Sequence, residues 1–233
     1  MAYYREVGFL PEGLLNALVR FGWSLDDQTE NMSLLHIVEN FSLDRVVKGA
    51  AAFDPDQLMS FQSHWMGQLP ESDKVAGCLA FLIRAGLIPE GESPESINMV
   101  QRVVELAGDR IRVFGDILEL SEFFVTTDGI DYDTDAFRKR VVTAPEAVGT
   151  LRQLTIVLTE CQPFSAESLP DSVTAFVADQ DLKFGQVAPV LRLAITGKNK
   201  GADLFPTLEL IGRDECLRRM QAALAAVELD GTT

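Results

Sequence analysis

The stretch Lys183–Phe205, KFGQVAPVLRLAITGKNKGADLF, carries the clearest helix–loop–helix pattern in the chain. Apolar residues recur at helical spacing, namely Val187, Val190, Leu191 and Ile195, and predict a helix whose apolar face is inward and whose Arg192 can face outward. Gly197 follows that face, and glycine readily adopts the left-handed conformation that closes a helix. The sequence therefore predicts a helix that ends at Gly197, a short loop, and a second helix that opens near Leu204.

The loop of this stretch, Lys198–Asp203, places two lysines in a strongly acidic chain. The whole chain has 20 Lys and Arg against 35 Asp and Glu, a net charge of −15. Such a charge opposes indiscriminate nucleic-acid binding, because phosphate is repelled at long range. The span from Lys183 to Arg219 differs, since seven basic residues less four acidic ones leave a local balance of +3. Two interpretations of the loop stay open: a cationic binding surface, and a solvated turn between two core helices.

Composition indicates a globular protein, since 47% of the 233 residues are hydrophobic and the length allows two or three small domains. Nothing resembles a signal peptide or an apolar run of about 18 residues, so we expect a cytoplasmic protein with no membrane partner. No glycine-rich phosphate loop follows a strand, so we expect no cofactor in this chain. Three separated cysteines fit neither a disulfide framework nor a zinc site and are predicted to be buried thiols: Cys78, Cys161 and Cys216.

The opening stretch resembles the closing anticodon-binding region of bacterial glutamyl-tRNA synthetases. That region carries the pattern G-x-V-x-x-P-x-R-x-A-x-T-G, then a short loop and L-F. Val190 stands where the family more often has proline. The corresponding positions in this chain are Gly185, Val187, Val190, Arg192, Ala194, Thr196, Gly197, Leu204 and Phe205.

A second resemblance to the same family lies at the other end of the chain. The string from Tyr4 to Ser24, YREVGFLPEGLLNALVRFGWS, is similar to the family's segment directly after the KMSKS signature, and the likeness continues through Phe41–Arg45, Ala52–Pro55 and Leu58. In the family this connecting region packs against the inner corner of the tRNA. The catalytic nucleotide-binding fold, with its ATP site, would precede Tyr3. We therefore expect this chain to correspond to the C-terminal half, to lack the catalytic domain and to be inactive alone.

The resemblance implies five site residues: Arg110, Arg192, Lys198, Lys200 and Leu204. In the family, the arginine at the position of Arg192 and the loop after it contact the second and third anticodon bases, and Leu204 matches an apolar loop residue. Arg110–Phe114 resembles an R-x-K-x-L segment of the first anticodon-binding bundle, although a solvated surface arginine explains Arg110 equally well. Gly201–Asp203 departs from the family's T/S-P-G type sequence, which leaves the base that is read undecided.

We expect a mostly α-helical fold with three parts: a connecting region (1–69), a first helical anticodon-binding bundle (70–144) and a second one (145–233). The resemblance implies recognition of tRNA(Glu) by its anticodon. If the enzyme is split, a separate catalytic half is a further partner, docked on an apolar surface near Tyr3, Phe9 and Leu10. The alternative is a catalytically orphaned paralogue that acts as a protein-interaction module. A fragment, a split subunit and a degenerate paralogue all fit the sequence.

Overall fold

A computed structural model describes residues 2–26, 28–47, 54–91, 93–144 and 146–230, with side chains to 227. Within those ranges every regular element is a helix, so the predicted mostly α-helical fold is confirmed. None of the described helices is both long and apolar enough to cross a membrane. Two sequence features lie outside the described residues: Ala52–Phe53 of the second resemblance, and Pro145, where the third part is predicted to begin.

The chain divides into two compact units, Met1–Glu119 and Leu120–Thr233. The three-part division at 69/70 and 144/145 stays a prediction. Over its described residues the first unit contains six α-helices: Ala2–Val7 (α1), Pro11–Val19 (α2), Leu34–Asn40 (α3), Pro55–Gln68 (α4), Glu71–Arg84 (α5) and Pro94–Ala107 (α6).

Local chemistry sets the ends of these helices. Pro11 is the first residue of α2, a position where its missing N–H would be unbonded in any case. Asp54 and Ser93 cap α4 and α6 by accepting backbone N–H bonds. Gly108 ends α6 with φ of 54°. Beyond it the chain forms 3₁₀ turns at Gly108–Arg110, Phe114–Phe123 and Thr127–Gly129 rather than a second long helix.

Gln62 holds the centre of the first unit together. Its side chain is fully buried; Oε1 accepts a hydrogen bond from the Leu10 amide (3.0 Å) and Nε2 donates to the Arg112 carbonyl (2.8 Å). A Cβ on Gly13 would lie 2.7 Å from Gln62 Oε1, so glycine is what lets α2 approach α4 so closely. Leu10 is buried here, and its predicted place in an exposed docking surface is therefore wrong, although Tyr3 is 65% exposed.

The described part of the second unit contains six α-helices: Thr134–Phe137 (α7), Ala147–Glu160 (α8), Ser168–Asp179 (α9), Phe184–Thr196 (α10), Leu204–Ile211 (α11) and Arg213–Asp230 (α12). Asp133 caps α7, since its Oδ1 accepts from the Ala136 amide at 3.0 Å. A π-helical turn, Arg138–Val142, extends α7.

The core of the second unit is built around α10, which packs against α8, α9 and α12. Four of its side chains are completely buried: Leu191, Leu193, Ala194 and Ile195. All three cysteines are free and buried, which confirms the predicted thiols. The loop that follows α10 is therefore attached to the most tightly enclosed helix of the unit.

Candidate nucleic-acid interface

Gly197 fixes the start of the Lys198–Asp203 loop. It closes α10 in the left-handed conformation, with φ of 74°, as predicted. Its carbonyl accepts a hydrogen bond from the Asp133 amide at 2.7 Å, and a Cβ at this position would lie 2.3 Å from the Asp131 carbonyl oxygen. The 128–133 segment therefore holds the loop from one side, and only glycine fits the contact.

Arg192 holds the loop through a hydrogen bond to its backbone. Its side chain is partly buried, and Nη1 donates to the Ala202 carbonyl at 2.7 Å. A Cβ on Gly201 would lie 3.2 Å from the same nitrogen, so the loop backbone lies directly over the guanidinium. The predicted site arginine thus contacts the loop itself.

Lys198 is paired with a buried acid. Its Nζ lies 2.6 Å from Glu122 Oε2, and the two side chains are 29% and 3% exposed. The Lys198 amide donates to Thr196 Oγ1 (3.2 Å), which in turn donates to the Arg192 carbonyl (2.8 Å). The first residue of the loop is therefore bound through both its side chain and its backbone.

The two remaining predicted residues of this unit differ in exposure. Lys200 is exposed at the outer part of the loop. Leu204 is only 8% exposed and belongs to the hydrophobic core at the first turn of α11. Leu204 thus anchors the end of the loop, and its contact with RNA stays a prediction.

Arg219 of α12 links the loop to the rest of the unit, although its side chain is only 2% exposed. Its Nε donates to Glu215 Oε1 at 2.8 Å. Nη1 donates to the carbonyls of Glu122 (2.9 Å) and Ile195 (3.1 Å), and Nη2 to that of Val125 (2.8 Å). Ile195 lies in the last turn of α10, so one guanidinium ties the helix that precedes the loop to the segment that carries Glu122.

Residues 74–224 match a protein-family model described as an anticodon binding domain. The chain belongs to the anticodon-binding domain family. The matched span covers the whole candidate loop, its supporting residues Glu122 and Arg219, and Arg110.

Relatives connect this anticodon-binding domain with glutamate–tRNA ligases. The ligase of Geobacter sulfurreducens is 33% identical over 226 residues, which cover 97% of this chain and 46% of the relative. That of Roseiflexus castenholzii is 32% identical, covering 95% and 44%. The structure of the Elizabethkingia meningosepticum glutamate tRNA ligase superposes with a TM-score of 0.80 at 25% identity over 96% of this chain and 43% of the other.

These matches confirm the resemblance to glutamyl-tRNA synthetases that the sequence motifs indicated. The chain spans a little under half the length of the curated relatives that it matches. The alternative of a protein-interaction module gains no support from them.

Arg110 lies in the first unit of this anticodon-binding domain, whereas the other four predicted residues lie in the second. It is exposed in the short 3₁₀ turn that follows Gly108. Nothing in the described structure gives it a packing role, and its contact with RNA stays a prediction.

The cationic surface predicted for Lys183–Arg219 is smaller than the balance of +3 implies. Arg219 is buried, and Arg218 is hydrogen-bonded to Glu215 Oε2 at 2.7 and 2.9 Å. Arg213 donates to the Cys161 carbonyl and stacks on Phe164, 5.3 Å from the ring centre. These arginines serve the fold of the anticodon-binding domain, so counting charges along the sequence overestimates what RNA meets.

A sequence signal for the buried arginine does exist. Cys216, Arg219, Met220 and Ala223 recur at the spacing of one helix face, and the three neutral members of that face are all completely buried. Arg219 therefore occupies a core position of α12. Glu215, four residues earlier, is the matching partner on the same side of the helix.

Proposed function

We propose that this anticodon-binding domain binds the anticodon stem-loop of tRNA(Glu) and that the Lys198–Asp203 loop makes the contact. The observation that carries the proposal is the way the loop is held, at Gly197, at Lys198 and at Ala202. A loop fixed before binding loses little conformational entropy when it meets its ligand. Membership of the anticodon-binding family supports RNA as that ligand.

The exposed and the partly buried residues of the site have different roles. Lys200 is a flexible, exposed point charge and contacts a phosphate of the anticodon loop. Arg192 is a positioning residue, because its guanidinium holds the Ala202 carbonyl. Unstacked anticodon bases need donors and acceptors on their edges, and the backbone of the held loop offers both.

The chemistry of the ligase belongs to a catalytic half outside this sequence. The relatives are about twice as long as the chain, which leaves room for a domain that binds ATP and glutamate. We place that half, tRNA(Glu) and this chain together in the cytoplasm, with no membrane involved. The purified chain should not catalyse glutamate-dependent pyrophosphate exchange.

The test is a binding titration of RNA hairpins at low and moderate salt. A hairpin with the anticodon loop of tRNA(Glu) should bind more tightly than the same stem with a scrambled loop. Lys200→Ala should weaken every hairpin and reduce the magnitude of the negative slope of log K against log salt by roughly 0.7 to 0.9, the contribution of one phosphate. Arg192→Ala should weaken binding of all hairpins, whereas loss confined to one anticodon base would mean that Arg192 reads that base. If no hairpin binds the wild-type chain at low salt, the proposal fails.

A further inference from the structure

A run of three basic residues, Arg138, Lys139 and Arg140, lies on the π-helical turn and has no part in the loop just described. All three side chains are exposed, whereas Phe137 and Val141 on either side are buried in the core. The Thr143 amide donates to the Arg138 carbonyl at 2.8 Å, which closes the wide turn. The fold therefore presents three cations to solvent on a firmly anchored turn.

Two of these cations, Lys139 and Arg140, line an open groove of about 660 Å³. Gly185 and Gln186 from the first turn of α10 also line it, and Glu146 is the one acid among the lining residues. A groove of this size accommodates a small-molecule or nucleotide-sized group. Its two cations favour an anionic occupant, and its other lining residues include the apolar Leu182, Val187 and Val190. The chain as a whole has a net charge of −15.

The position of the groove on α10 selects its occupant. The Lys198–Asp203 loop follows the C-terminal end of this helix, and the groove lies beside its N-terminal end. The ten residues between Gln186 and Thr196 span about 15 Å along the helix axis. That separation is comparable with the length of a short RNA stem, so a hairpin whose loop meets Lys200 can reach the groove with the phosphates of its stem.

We infer that the Lys139–Arg140 groove binds the sugar–phosphate backbone of the anticodon stem. The inference rests on the proposed function and adds a second RNA contact to it. Lys139 and Arg140 neutralise phosphates of one strand, while Glu146 lowers the affinity of the groove for anions. Since backbone contacts carry no base information, the groove strengthens binding and the loop supplies the selectivity.

The test compares the wild-type chain with Lys139→Ala/Arg140→Ala, using two RNAs: the anticodon hairpin and its isolated single-stranded loop. The double variant should lower hairpin affinity on the order of tenfold at low salt and reduce the salt slope by roughly 0.9 for each phosphate released. Affinity for the isolated loop should be unchanged. Arg138→Ala is the matched control, because it removes a neighbouring exposed cation that does not line the groove.

Two further variants change the charge of the groove at positions where the fold tolerates substitution, one to raise hairpin affinity and one to lower it. Glu146→Gln should tighten hairpin binding, a gain that damage to the fold does not produce. Gly185→Glu places a carboxylate in the groove where a Cβ meets no neighbouring atom within 4 Å, and it should weaken binding. An unchanged hairpin affinity and salt slope in Lys139→Ala/Arg140→Ala, while Lys200→Ala still weakens binding, would overturn this inference and leave the proposed function standing. Equal loss for both RNAs would contradict a stem contact, and a wild-type chain that binds neither RNA would overturn both proposals.

Discussion

Lys198 Nζ lies 2.6 Å from Glu122 Oε2, although the two residues are 76 positions apart in the chain. The carboxylate is almost completely buried and the lysine is partly exposed, so the acid is fixed and the lysine is drawn to it. The same Glu122 accepts a bond from Arg219 through its carbonyl. Glu122 thus sets both the shape of the loop and the charge that the loop shows to RNA.

Replacing Glu122 should therefore change how strongly binding depends on salt. Glu122→Gln removes the charge that neutralises Lys198, so one more cation meets the RNA and the negative slope of log K against log salt should become steeper by roughly 0.7 to 0.9. The measurement is a hairpin titration at several salt concentrations. Asp128→Asn, which removes an exposed acid of the same unit, should leave the slope unchanged. A slope that stays the same in Glu122→Gln would show that Lys198 does not face the RNA.

Removing Arg219 should destabilise the second unit severely. Arg219→Met leaves two buried carbonyl groups and one partly buried one without their donor and breaks a largely buried ion pair, at an expected cost of about 3–5 kcal/mol in the free energy of unfolding. Arg218→Met is the matched control: it shares the Glu215 partner but is 62% exposed, so it should cost less than about 1 kcal/mol. Urea unfolding measures both. Equal costs would contradict the assigned role of Arg219.

Much of the fold could be predicted because its determinants are local. Pro11, Asp133 and Gly197 each act on the backbone within a few residues of their own position, and the structure places a helix end at all three. The 3₁₀ turns of Phe114–Phe123 were not predicted, because their apolar residues are compatible with an ordinary helix. Leu120, with φ of −108° and ψ of 29°, interrupts the helical geometry there.

The candidate site was harder to predict than the fold because its contacts join distant parts of the chain. The position of the loop follows from Gly197, but the acid that neutralises Lys198 lies in a segment that no local pattern connects to it. Charge counting likewise treated Arg219 as a surface cation, whereas its helix face is apolar and buried. Electrostatic partners across a core therefore need the structure.

Gly197→Ala should destabilise the second unit and disorder the loop. Left-handed backbone costs a residue with a Cβ about 1–2 kcal/mol, and the contact with the Asp131 carbonyl adds to that cost. Gly185→Ala is a control of opposite sign, because it adds a Cβ in open space within a helix and should stabilise by about 0.5–1 kcal/mol. Thermal unfolding measures both. A neutral Gly197→Ala would contradict the tight packing of the loop start.

Stability should fall in acid because of Glu215. Burial acts to raise the pKa of its carboxyl, but hydrogen bonds from Arg219, Arg218 and Thr127 outweigh burial and hold the pKa below its usual value of 4.5. A lowered pKa contributes stability that is present above pH 4.5 and is lost as pH falls through the folded-state value. Glu215→Gln should make the free energy of unfolding, measured in urea, fall less steeply as the pH is lowered, and Asp128→Asn should not. If the free energy of unfolding falls with pH as steeply in Glu215→Gln as in the wild type, the assignment is contradicted.

The central claim is that the Lys198–Asp203 loop recognises the anticodon loop of tRNA(Glu). The most direct measurement is a map of backbone amide chemical shifts while an anticodon hairpin is titrated into the full chain. The amides of Asn199, Lys200 and Gly201 should move strongly with the tRNA(Glu) anticodon and much less with a scrambled loop on the same stem. If those three amides stay in place while the hairpin binds, or move equally with both loops, this account of recognition is contradicted.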